Sequence, residues 1–198
     1  ALVNPQIAKN HHQRLKKCLL IYLVVFLLIL LPGIYWQQTG TAQQLNYRYL
    51  SQRLEHIVQE KPLEAELWFA LSSLYIEIGQ EKKALAALYQ TRELNPKDPE
   101  TLNNLAWLLL NIHDMTLRDY AQAFALAQEA ATLKPAPHVL DTLAEAYWRQ
   151  NNLNTAIAIE EKIIKILDNS GSVDNIDHYH RQLEKFKSSH KTTKGAQD

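Results

Sequence analysis

AELWFALSSLYIEIGQEKKALAALYQTRELNP, residues 65–96, decides the fold. Trp68, Leu71 and Tyr75 stand at helical spacing and make one apolar stripe, with the small Ser72 beside it. Gly79 supplies the left-handed backbone that ends a helix in a tight turn. Ala84 is small where a second, antiparallel helix has to approach the first closely, and Pro96 bars that helix from continuing. The stretch is therefore a helix, a turn and a helix. Pro62 and Pro96 are 96 − 62 = 34 residues apart, which is a repeat period rather than an isolated hairpin.

A second copy occupies 99–135, with Leu105-Ala106, Ala123 and Pro135 in the corresponding slots. Ala84 to Ala123 is 123 − 84 = 39 residues, so this copy carries five extra, which fall in the polar stretch 111–119. That stretch is expected to bulge from the helix-helix corner without disturbing the stack. A third copy, 138–167, offers Leu143-Ala144, Tyr147 and Ala156, and Asn151-Asn152 stands where the turn glycine would be. Asparagine tolerates left-handed backbone better than most residues, so the turn survives. The pattern of Trp, Leu-small, Tyr, Gly, Ala and Pro resembles the tetratricopeptide repeat (TPR) family. The resemblance implies an all-α solenoid in which the first helix of each repeat lines a concave groove.

Reading outward, the repeats span 62–96, 97–135 and 136–168. Before them, Leu45, Tyr49, Leu50, Leu54, Ile57 and Val58 form the apolar face of a leading amphipathic helix, 42–61, which reads as the second helix of a truncated repeat. After them, Ile176, Tyr179, Leu183 and Phe186 recur at i, i+3, i+7 and i+10 on a capping helix, 174–188, as the exposed end of a stack requires. Residues 189–198 are polar and aperiodic, and are expected to be disordered.

The second strong signal lies at the start. Residues 18–36, from Cys18 through Tyr35-Trp36, are almost wholly apolar; at about 1.5 Å per residue they make roughly 28 Å of helix, enough for a bilayer core of about 30 Å. Lys9, Arg14, Lys16 and Lys17 precede the run with no acidic residue among them, so the basic segment 1–17 is expected in the cytoplasm and the repeats beyond the membrane. In a Gram-negative bacterium this means the inner membrane, with the repeats in the periplasm. A cleavable signal sequence ending near Gly40-Thr41-Ala42 is the alternative, although the apolar run is longer than a usual signal core.

The formal net charge is zero, and the four positive charges before Cys18 leave 0 − 4 = −4 for the remainder, which argues against a nucleic-acid partner. Cys18 is the single cysteine, so no intrachain disulfide exists, and without a CxxCH sequence the chain carries no covalent haem of its own. His11-His12 and His178-x-His180 are spaced so that each pair diverges on a helix, and no metal site is expected. Asp141, Glu145 and Glu160-Glu161 read as solvated faces of helices. With no phosphate loop, HExxH or nucleophile elbow, no catalytic residue and no cofactor is predicted.

What remains is the groove. Phe69 and Ser73 in the first repeat, Asn103, Asn104 and Trp107 in the second, and Asp141, Glu145, Trp148 and Arg149 in the third are out of phase with the packing stripes and are predicted to face it. Aromatics supply anchoring area and Asn can bond to peptide backbone, so the groove suits a protein or peptide segment. Trp107 and Trp148 have a second reading, as packing between neighbouring repeats. The overall layout of basic stub, anchor, amphipathic helix and repeats resembles the TPR subunits of bacterial cytochrome c haem-lyase systems, the CcmI and NrfG kind, over roughly residues 15–167. That resemblance implies apocytochrome c and haem-lyase components as partners. The CcmI kind carries a further transmembrane helix and a cytoplasmic loop upstream, for which a chain opening on Ala1 leaves room. Two rival readings stand beside it: a structural or assembly subunit of an inner-membrane complex, and a TPR protein of envelope polysaccharide export or secretion.

Overall fold

The computed structural model describes residues 40–171 and 175–195. The expected anchor, 18–36, and the basic segment before it lie outside the described residues. Among the described residues no helix is long and apolar enough to cross a membrane. They contain eight α-helices, one short 3-10 turn and no strand. In order these are α1 (Thr41–Glu60), α2 (Ala65–Glu77), α3 (Glu81–Leu94), α4 (Pro99–Asn111), the 3-10 turn (Met115–Leu117), α5 (Tyr120–Leu133), α6 (Pro137–Arg149), α7 (Leu153–Ser170) and α8 (Ile176–Gly195). The chain divides into two compact units, Ala1–Tyr49 and Leu50–Asp198, with the division inside α1.

Three helical hairpins, α2/α3, α4/α5 and α6/α7, stack one on the next, and α8 packs on α7. The small residues that align the repeats explain how the helices come so close. Ser72, Ala106 and Ala144 on the first helices, and Ala84, Ala123 and Ala156 on the second, are all fully buried. The first and third hairpins turn in the same way. Gly79 and Asn151 both adopt left-handed backbone, at φ +69° and +61°. Gln80 N donates to Tyr75 O at 2.8 Å and Asn152 N to Tyr147 O at 2.9 Å, so both turns are Schellman motifs. Side chains cap the starts of α4 and α7: Asp98 accepts from Thr101 N ahead of Pro99, and Asn152 accepts from Thr155 N.

The insertion in the second hairpin departs from the free polar bulge expected of it. Ile112 is fully buried and Leu117 packs against the core, so the segment carries apolar anchors of its own. Arg118 Nε donates to Ile112 O at 2.8 Å. The backbone N–H of His113 donates to Glu81, and Lys82 pairs with Asp114 at 2.9 Å, which ties the segment to the start of α3 in the preceding repeat.

Both ends also differ from expectation. On α1 only Val58 and Ser51 are buried in the repeat unit and Leu54 packs beside them, while Leu50 and Ile57 remain 41% and 38% exposed, so the predicted apolar face is only partly covered. Tyr75 Oη donates to Glu55, fastening this end of α1 to α2. At the other end α8 continues to Gly195, past Ser188 where the sequence suggested a disordered tail. Trp68, on the apolar stripe of α2, is half-buried: its ring packs against the core and its Nε1 donates to Pro62 O at 2.9 Å.

Candidate functional site

Helical spacing builds the site. Trp107 and Asn111 on α4 are four residues apart, Asp141, Glu145 and Arg149 on α6 form an i, i+4, i+8 row, and His178, Gln182 and Lys185 on α8 form an i, i+4, i+7 row. These three rows converge on a pocket of about 330 Å³ on the side of the stack lined by α4, α6 and α8. Leu108, Thr142, Glu81 and His113 complete its lining.

Trp107 is the large apolar surface of the pocket. It stays 43% exposed, an unusual state for tryptophan in a repeat stack. Arg149 also lines the pocket: its Nε donates to Glu145 Oε1 at 3.0 Å, and its guanidinium lies 4.7 Å from the Trp148 ring centroid and 5.6 Å from that of Tyr120. Glu145, whose side chain is 7% exposed, receives Lys185 Nζ at 2.6 Å on its other oxygen. His178 Nε2 meets Asp141 Oδ2 at 3.0 Å, and His113 Nδ1 meets Glu81 at 2.6 Å. The pocket therefore pairs a fixed, mixed-sign polar floor with one open aromatic wall.

Of the residues predicted to face the groove, Trp107, Asp141, Glu145 and Arg149 line this pocket. Phe69 lines a separate cleft of about 220 Å³ with Glu66, Thr91 and Asp98. Ser73 donates to the Phe69 carbonyl. Asn103 is buried with its Oδ1 unpaired, and Asn104 is half-buried. Trp148 rests against α8, 5.9 Å from Phe186, under Lys185 Nζ at 4.2 Å, with its Nε1 donating to Ser189 at 3.2 Å.

Sequence reasoning missed the α8 wall, although its polar row runs beside the apolar row that revealed the helix. It also misplaced Glu160. That residue is fully buried on α7, where a solvated face was expected. Its carboxyl is pushed far above the ordinary range by burial and by the neighbouring Asp141. Among the described residues no group of three or more His, Cys, Asp and Glu is placed to hold a metal ion.

No protein-family model matches the chain. It is similar to the cytochrome c-type biogenesis protein CycH of Pseudomonas aeruginosa, 30% identical over 121 residues that cover 61% of this chain. The chain spans about 29% of the length of that relative. Among solved structures, a thermophilic TPR protein from Thermus thermophilus superposes with a TM-score of 0.57 at 18% identity, covering 74% of this chain and 77% of that one. The first TPR domain of Spaghetti (RPAP3), solved with an HSP90 peptide, superposes at 0.51 and 16% identity over 63% of this chain and 91% of that one. The fold is that of the TPR solenoid.

Proposed function

We propose that this chain is a membrane-anchored TPR scaffold whose periplasmic groove holds a peptide segment, and that the segment is the C-terminal region of an apocytochrome c on its way to haem attachment. The observation that carries the reading is the pocket, whose lining includes both the exposed Trp107 and Arg149. An indole face binds an apolar side chain, and a guanidinium receives a carboxylate through two parallel hydrogen bonds. Glu145 engages Nε of Arg149, which leaves the terminal nitrogens for a peptide carboxylate. The likeness to a cytochrome c-type biogenesis protein supports an apocytochrome as the source of the peptide, and the HSP90 peptide bound to the first TPR of Spaghetti supports peptide binding by this fold.

Titrating the full chain with C-terminal apocytochrome peptides tests it. Binding is expected, and amidating the peptide terminus weakens it by about 1.5–3 kcal/mol as one charge-assisted bond is lost, roughly 10- to 150-fold in affinity. Indifference to amidation removes Arg149 from the role. Failure of every such peptide on folded protein moves the preference to an assembly subunit of a membrane complex.

A further inference from the structure

Asp141 of the α6 wall and Glu160 of α7 form an acid pair whose buried side the peptide reading leaves unexplained. Both oxygens of Glu160 and Oδ1 of Asp141 are buried and meet no N–H or O–H donor among the described residues. Burial raises the Glu160 carboxyl, and Asp141 raises it further through its charge and a side-chain hydrogen bond. Two ionised carboxylates offer acceptors only, so a proton has to sit between them for the contact to be favourable.

The place of Glu160 in the packing gives this proton a consequence. Ala156, Glu160, Ile163 and Leu167 form an i, i+4, i+7, i+11 row on α7. Ala156 packs in one cluster with Phe186 of α8, and Ile163 and Leu167 pack in another with Tyr179 of α8. Glu160 thus lies in the seam between the two anchors of α8. The charged and titratable groups turned toward it are Asp141 and Glu145 from α6 and Lys185 and Tyr179 from α8, and His178 of α8 holds the far oxygen of Asp141.

We propose that Asp141 and Glu160 share one proton as a clasp that seats α8, so that undocking α8, and with it one wall of the pocket, releases that proton. As regulation of the pocket the inference rests on the peptide-binding reading; as a property of α8 it stands alone. In the undocked state Glu160 is hydrated and returns to its ordinary value of 4.5, whereas in the docked state it is pushed up to about 9. A value raised in the closed state means closure is most stable at low pH and weakens as pH rises through that window. Each unit of pH then favours opening by about tenfold.

Native-state amide exchange on the full chain, at pH 7 to 8.5 and corrected for base catalysis of exchange itself, reads this directly. The opening constants of α8 amides are expected to climb close to tenfold per pH unit relative to those of α4. Glu160→Gln, whose amide donates to Asp141 without titrating, flattens the climb. Asp141→Asn, which removes the like charge, lowers it. His178→Gln preserves it, because that ion pair is not the clasp. A flat profile in the unmodified protein, or one equally steep in Glu160→Gln, overturns the proposal. No peptide is present in this measurement, so its failure leaves the groove reading standing, and failure of peptide binding leaves the clasp standing.

Discussion

Aligning the repeats on Ser72, Ala106 and Ala144 puts Ser73, Trp107 and Glu145 at one position and Ile76, Leu110 and Trp148 at another. Leu110 is fully buried and Ile76 packs on the core, so the second position belongs to the contact between neighbouring helices. Trp148 fills it where α8 replaces the next repeat. The two tryptophans should accordingly behave differently. Trp148→Ala removes a ring held by Phe186, Lys185 and Ser189 and is expected to approach the roughly 3–5 kcal/mol of a large aromatic truncation. Trp107→Ala should cost about 1 kcal/mol or less, since much of the ring is already in water, while peptide capture falls sharply. Urea denaturation midpoints compare the two directly, and equal losses would return Trp107 to the core. The register needed to separate them was present in the sequence. The partner of Trp148 was not, because Ser189 stands 41 residues downstream on α8.

Turns and the insertion are where the elements were legible to different degrees. The left-handed Asn151 followed from its place in the repeat, and the same Schellman hydrogen bonds form there as at Gly79. Asn151→Ala is expected to cost about 1–2 kcal/mol for placing an ordinary side chain in left-handed backbone, whereas Asn151→Gly should leave stability equal or higher. Chemical denaturation decides, and an Ala variant as stable as the Gly variant would remove the strain argument. The insertion was less readable. Its polar composition concealed Ile112, and its tie to Glu81 joins residues 32 positions apart, beyond any local pattern. Glu81→Ala should free this segment without unfolding the stack, because the apolar anchors Ile112 and Leu117 persist. Faster amide exchange confined to the insertion is the expected result, and unchanged protection of the His113 amide would show that Glu81 does not hold it.

At the scale of the whole molecule, opposing carboxylates set the pH dependence of stability. Glu55 is held below its ordinary value by the hydrogen bond from Tyr75 and by Lys83. Burial raises Glu100, but Lys134 and His138 more than offset it and leave that group lowered. Groups lowered in the folded state stabilise it above their unfolded values, and that contribution is lost as pH falls through the folded ones. Glu160 has the opposite sign. Its contribution is complete below the ordinary value of 4.5 and declines as pH rises above it, because the folded state keeps a proton that the unfolded state has released. The carboxylates favour a stability maximum near pH 5, where the lowered groups are ionised and Glu160 holds its proton in the folded state at little cost. Denaturation midpoints should then decline from pH 5 to pH 8. Replacing Glu160 by Gln should remove most of that decline, and the variant should gain more over the parent at pH 8 than at pH 5. A parent whose stability climbs across this range would mean that Glu160 is ionised where it is buried, and the account of α8 as a proton-held helix would fail with it.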